Sequence, residues 1–271
     1  MITHFYLLRQ FSQADRLTSI AKNNIISDIT SNEETITETN DELSLKEAPE
    51  ENNIEPSDTL GENTEFEIEP DAPPVSLNDR YNISPSKPLP EFDSPSAKAF
   101  EAIDIRGAYP NLFALICIPG IATRVDVIEQ IIRQRIPSVL SLMDYGIIDW
   151  PILGKKTPVL IYEKPTGGRV SSVMEEESST YNNIEHMLNS VDGITEGLEQ
   201  LSNRGITHRS LRHDNLFFSD QTREKVILGD FVSTPAGFDQ PVAYETIERG
   251  MADEGSRGTG SLEDDMYAFG V

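Results

Sequence analysis

The stretch that most constrains this chain is His208-Arg209-Ser210-Leu211-Arg212-His213-Asp214-Asn215, a polar run between a long helical pattern and a short hairpin pattern. Upstream, Ile184, Met187, Leu188, Val191, Ile194, Leu198 and Leu201 recur mostly at steps of three and four. That period predicts a helix over 183–204, which Gly205 stops. Downstream, Leu216–Phe218 and Lys225–Leu228 predict two strands around a turn at Ser219–Glu224, and Gly229-Asp230-Phe231 follows at once. A hairpin sets the ends of its strands side by side, so the amide oxygen of Asn215 and the carboxylate of Asp230 are expected to converge. One neutral and one anionic oxygen suit Mg²⁺, which takes few protein ligands and fills its shell with phosphate and water. The alternative is an Asn and an Asp in ordinary turns, where both are common.

The remaining chain divides by composition. Residues 1–25 hold a small apolar set, Ile2, Phe5, Tyr6, Leu7, Leu8 and Phe11, compatible with a short helix or a loosely docked terminus. Residues 28–97 are rich in Glu, Asp, Asn, Ser, Thr and Pro with few aromatics. Such a segment buries too little apolar surface to offset its ordering entropy, and disorder is expected. Pro85, Pro88, Pro90 and Pro95 close it as a stiff, extended linker. A solvated linker and an acidic docking arm are both compatible with this composition.

From Ala99 onward the pattern is that of a folded domain. Phe100–Ile105 and Asn111–Ile118 read as strands about a turn at Gly107–Pro110, and Arg124–Arg135 reads as a helix followed by Pro137. Val139–Met143 and Ile147–Ile152 are short strand candidates, and Pro158–Tyr162 suits a buried strand. Glu163-Lys164-Pro165-Thr166-Gly167-Gly168 breaks either period and must be a loop. Strands with one helix, then a long helix and a hairpin, predict a small β-rich lobe followed by a mainly helical one. A cleft between two lobes is the default ligand site.

The central stretch resembles the protein kinase superfamily, whose members carry H-R-D-L-K-x-x-N, D-F-G, A-P-E and D-x-[WY]-x-x-G in that order. Here the four read His208 to Asn215 without gaps, Asp230-Phe231-Val232, Ala243-Tyr244-Glu245, and Asp265-Met266-Tyr267-Ala268-Phe269-Gly270. The resemblance is specific from about Pro158 to Val271, weak over Ala99–Ile152 and absent before that. It implies an α+β, two-lobed kinase-like fold preceded by the disordered acidic segment. The domains would be an N-terminal segment over 1–98 and a kinase-like domain over 99–271. Within the latter, the N-lobe would span 99–162, the hinge 163–168 and an incomplete C-lobe 169–271. It also implies roles. Asn215 and Asp230 would hold Mg²⁺ bridging the phosphates of ATP. His208 would pack beneath the loop, and Arg209 would hold an acidic or phosphorylated activation segment. Phe231 would pack between the lobes, and Asp265 would fix the catalytic-loop backbone. Arg212 stands where the family often has a phosphate-contacting Lys, with a planar fork in place of a point charge.

The departures from the family pattern matter more. Ser210 replaces the Asp that accepts the substrate proton, and a hydroxyl neutral near pH 7 forfeits a contribution of about 10²–10⁴-fold. Asp214 is the nearest carboxylate but is aimed elsewhere by its place in the loop. Phe113-Ala114-Leu115-Ile116-Cys117-Ile118 contains no Lys to hold the α/β-phosphates, so Glu129 on the predicted helix is left as a solvated residue. The Gly-rich phosphate cradle is missing, with only Gly107 near that turn. Val232 in place of Gly stiffens the turn after Phe231. His186 and His213 have no Cys or His partner at ligand spacing, Cys117 reads as inert core, and Trp150 as packing.

These substitutions make the expected protein a pseudokinase, a regulator or scaffold that retains ATP and Mg²⁺ binding at most. The rivals are an atypical active serine/threonine kinase, a small-molecule phosphotransferase and a non-enzymatic interaction module. Positioning and metal electrostatics carry most of phosphoryl transfer, which keeps the first rival open. A formal charge of −24 disfavours a nucleic-acid partner and leaves a protein partner or protein substrate. Apolar residues are 37%, below the roughly 45–50% usual for a globular domain, in keeping with a folded and an unfolded part. A single cysteine points to a reducing, cytoplasmic setting. No run of about eighteen uncharged apolar residues predicts a membrane span. Val271 falls early in the family's organising helix, so the chain is expected to be a piece of a longer protein.

Overall fold

The computed structural model describes residues 72–176 and 180–271, with the side chains of 176–187 excluded. Contacts divide the chain into Met1–Glu67 and Ile68–Val271, and the described residues all belong to the second unit. The terminal apolar set in 1–25, the acidic segment over 28–71, and the side chains of Ile184, His186 and Met187 lie outside the described residues.

One six-stranded antiparallel sheet is built from β1 (Val75–Leu77), β2 (Tyr81–Pro88), β3 (Ala97–Asp104), β4 (Leu112–Cys117), β5 (Leu142–Trp150) and β6 (Lys155–Glu163), in the order β1-β2-β3-β4-β6-β5. Every residue of β4 is buried, because both faces of the sheet are covered. Phe113, Leu115 and Cys117 join a core that also takes in Ile128 and Ile131 of α1 (Val125–Gln134), while Leu112, Ala114 and Ile116 join a second core with Phe100 and Trp150. Leu160 and Tyr162 of β6 share the first core, and Val159 and Ile161 the second. The first core continues past the sheet into Leu198, Leu201, Phe217, Leu228 and Phe231.

Two sequence expectations give way to the observed fold. Residues 72–97 are not linker, since β1, β2 and the 3-10 turn Pro90–Phe92 fall within them. The period-two burial of Tyr81, Ile83 and Pro85 supplied the apolar face that overall composition concealed. The two strand candidates at 139–143 and 147–152 are one strand, β5, which runs through Gly146. That glycine marks a close approach: a Cβ there would meet Leu77 Cδ1 at 2.7 Å.

Beyond the connecting segment 164–169 come α2 (Val170–Glu176), α3 (Thr180–Ser202), the hairpin β7 (Leu216–Phe218) and β8 (Val226–Leu228), α4 (Ile247–Gly250) and α5 (Leu262–Gly270). The long helix α3 lies hard against β8. A Cβ at Gly193 would stand 2.4 Å from the Val226 carbonyl oxygen, and one at Gly197 would stand 2.6 Å from Leu228 Cδ1. Gly167 is equally required, with the Asp220 carbonyl 2.2 Å from where its Cβ would be. Trp150 is buried packing and Cys117 a buried free thiol, as expected, and His213 is exposed. Among the described residues, no helix is long and apolar enough to cross a membrane.

Candidate functional site

The polar run 208–215 crosses from α3 to the hairpin and is fixed from four directions. From α5, the Asp265 carboxylate accepts the backbone N–H groups of His208 and Arg209, each at 2.8 Å. Asp265 can do so because α5 begins with a capping box, Ser261 with Asp264, which sets its first turn. Burial raises the Asp265 pKa, against the two N–H groups that hold it charged. From the sheet side, the guanidinium of Arg124 at the start of α1 donates through Nη1 to the carbonyls of Thr207 (2.8 Å), His208 (3.2 Å) and Phe231 (3.3 Å).

His208 is fully buried and stacks on Phe231 at 4.7 Å. Burial, with the nearby Arg124 charge, lowers its pKa to about 3, so it is neutral across ordinary pH. Its Nδ1 accepts the Ser210 N–H at 3.2 Å. Arg209 adopts φ 55° and turns its guanidinium inward, where Nη2 donates to both oxygens of Glu245. The acidic group expected opposite Arg209 is therefore supplied by the Ala243-Tyr244-Glu245 element itself.

Ser210 Oγ accepts a hydrogen bond from Arg212 Nη1 at 2.7 Å, and Arg212 Nε donates to Asp214 at 2.8 Å. Asn215 and Asp230 do meet, though through other atoms than the expected oxygens. Asn215 Nδ2 donates to the backbone oxygens of Asp230 (2.7 Å) and Ser210 (2.9 Å), bracing the loop. Asn215 Oδ1 lies over Gly229, where a Cβ would be only 2.0 Å away. The Asp230 carboxylate is engaged on both oxygens. Tyr162 Oη donates to Oδ1 at 2.5 Å, the Val232 N–H to Oδ1 at 3.2 Å, and the Ser233 hydroxyl to Oδ2. Burial and the adjacent carboxylate push the Tyr162 phenol well above its usual pKa, which keeps it a donor.

Sequence reasoning missed Tyr162, Arg124 and the contact of Glu245 with Arg209, all of which depend on which strand or turn comes to lie beside the loop. Glu129 behaves as expected, pairing with Arg133 on an exposed helix face.

No family model matches this chain. A 101-residue segment, 36% of the chain, is 28% identical to a serine/threonine/tyrosine-protein kinase, HT1, of Arabidopsis thaliana. Over that segment the chain is similar in sequence to a protein kinase. The match covers 26% of that relative, so the chain spans only part of its length. The crystal structure of Rad53 1–466 in complex with AMP-PNP covers 70% of this chain and 46% of its own, at 16% identity and a TM-score of 0.49.

A nucleotide with Mg²⁺ is the group that the motif resemblance implies, and the residues present do not fit it in this arrangement. The two oxygens of Asp230 are bonded within the protein, the oxygen of Asn215 faces Gly229, and β4 brings no cation. The arrangement holds a loop in place, with a hydroxyl at its centre bonded to a guanidinium.

Proposed function

We propose that this chain carries a pseudokinase, a two-lobed protein-kinase-like domain hinged near 163–168, that serves a protein partner as regulator or scaffold. One observation carries the reading: Ser210 Oγ accepts Arg212 Nη1 at 2.7 Å while Asp265 still holds the His208 and Arg209 backbone. The frame of a catalytic loop is kept, and its central group is a hydroxyl hydrogen-bonded to a cation, which makes a poor base. In this reading His208, Arg209, Phe231 and Asp265 are structural, and Arg212 restrains Ser210. Asn215 and Asp230 would bind Mg²⁺ and ATP only after Asp230 leaves Tyr162 and Ser233. The domain would begin near residue 72. A charge of −24 goes with a protein rather than a nucleic-acid partner, and one buried cysteine goes with a cytoplasmic setting.

The test is transfer of radiolabelled phosphate from ATP with Mg²⁺ to the protein itself and to a generic basic protein. The expected result is no signal above an Asp230→Ala control. Transfer that the control abolishes would overturn the reading in favour of an active kinase.

A further inference from the structure

The connection between β2 and β3, Leu89–Ser96, is folded inward beneath the sheet. Its turn Pro90–Phe92 buries Phe92 nearly parallel to two rings from different parts of the fold. Phe113 of β4 stacks on it at 4.7 Å and 21°, and Phe217 of β7 at 5.5 Å and 28°. Phe113 in turn stacks on Tyr162 at 5.5 Å, and Tyr162 reaches Asp230. The ring of Phe92 thus joins the sheet to the hairpin that carries Asn215 and precedes Asp230.

Polar contacts around the loop come from the connecting segment 164–169 and from the stretch after Phe231. Lys164, in the connecting segment, lies 5.2 Å over the Phe92 ring and 3.5 Å from Glu91. Arg169 Nη2 donates to the Asp93 carbonyl at 3.0 Å, and Ser96 Oγ donates to Asp239 at 2.5 Å. The ion pairs here, Lys164 with Glu91 and Lys98 with Asp93, are partly exposed and screened, which leaves the buried ring and the hydrogen bonds as the fastenings. The loop is also tied to β3, where the Leu89 N–H donates to the Ala99 carbonyl at 2.8 Å, the Ala99 N–H to Asp93 Oδ1 at 2.8 Å and the Ser94 N–H to the Ala97 carbonyl at 3.0 Å, so its withdrawal must break these bonds; the rest of β2 is less regular. Pro85 and Pro88 donate no backbone hydrogen bond, and the β2–β3 register shifts between Ile83 and Pro88.

A space bounded by two aromatic faces is shaped for a flat ring. We infer that Phe92 is an intramolecular ligand of this slot: the loop Leu89–Ser96 excludes planar aromatic ligands from between Phe113 and Phe217, and its withdrawal admits them. That the admitted ligand is a purine nucleoside rests on the kinase-like reading above; the exclusion does not. The loop would then act as a built-in stop on nucleotide occupancy, set by whatever displaces Phe92.

The experiment titrates adenosine and, separately, indole into the full chain, its Phe92→Ala variant and a Ser96→Ala/Arg169→Ala double variant, by calorimetry without metal. Each protein is first shown to unfold cooperatively, and the double variant, which keeps the ring, answers if Phe92→Ala does not fold. The expected result is at least tenfold tighter binding of adenosine to Phe92→Ala than to the parent, with a smaller gain in the double variant. A gain for indole alone supports the plug and sinks the nucleotide reading. Equal affinity in parent and variants, or no gain for either probe in a folded variant, overturns the inference.

Discussion

Arg209 and Glu245 meet with neither side chain exposed, one guanidinium nitrogen donating to both carboxylate oxygens at 2.8 and 2.6 Å. Arg209 Nε and Nη1 have no partner among the described residues. The pair ties the polar loop to the segment after Phe231 by a fixed carboxylate, with no need of an added phosphate. A buried pair is weak evidence for net stability, because desolvation offsets much of the attraction. Its loss is another matter.

Glu245→Ala leaves the Arg209 guanidinium buried without a counter-charge. The expected cost is about 3–5 kcal/mol, the range for breaking one side of a buried pair. Arg209→Met with Glu245→Leu removes both charges and should cost less than Glu245→Ala alone. Urea denaturation midpoints at matched slopes decide it; a double variant less stable than the single one would show that the pair is a net stabiliser.

His208 gives the fold an acid-sensitive element. Its pKa falls from 6.5 unfolded to about 3 folded, so between those values the unfolded chain binds the extra proton. Stability from this group is therefore complete above about pH 6.5 and is lost as pH falls toward 3, at up to about 1.4 kcal/mol per pH unit. Asp265, whose pKa is raised, contributes with opposite sign above 3.8 but is common to both proteins compared. His208→Phe keeps a ring against Phe231 and removes the titrating group. Its unfolding free energy should fall less steeply with acid than the parent's; identical slopes would mean that His208 is not held neutral.

The sequence revealed the pieces of this site better than their contacts. Helix α1, strands β3, β4 and β6, helix α3 and the hairpin followed from period and breakers, because each has an apolar face that recurs at its own spacing. Asp265 and Asn215 were placed by motif. What failed was the Pro-rich stretch before Ala97. Its overall composition resembles a linker, yet Tyr81, Ile83 and Phe92 are enough to seat two strands and a plug once the rest of the sheet offers them a surface. The second failure was atomic. Motif spacing brought Asn215 and Asp230 together, but Tyr162 and Ser233, distant or unremarked in sequence, decide what the Asp230 oxygens touch.

Gly193→Ala sets two effects against each other. In an isolated helix, Ala is favoured over Gly by about 1 kcal/mol. In α3 the new Cβ would lie 2.4 Å from the Val226 carbonyl and 2.9 Å from its Cβ, and a strand backbone yields little. Overpacking of this kind costs about 1–3 kcal/mol, so the steric term wins and the variant should melt lower. A rise in melting temperature would show that α3 and β8 separate freely.

Tyr162→Phe removes the hydroxyl that donates to Asp230 at 2.5 Å and leaves Oδ1 with the Val232 N–H alone. A hydrogen bond to a charged group contributes about 1.5–3 kcal/mol, and a loss in that range is expected at neutral pH. A second signature separates this from simple packing loss. The folded Tyr162 keeps its proton well past 10, where an unfolded tyrosine gives it up. Above pH 10 the native state then binds more protons than the unfolded one, so this group's stabilisation is full below 10 and declines as pH rises. Tyr162→Phe lacks that decline. Unfolding free energies measured between neutral pH and about pH 11 should therefore converge for the two proteins as the solution becomes alkaline; a constant gap would mean that the phenol titrates normally and the Asp230 contact does not restrain it.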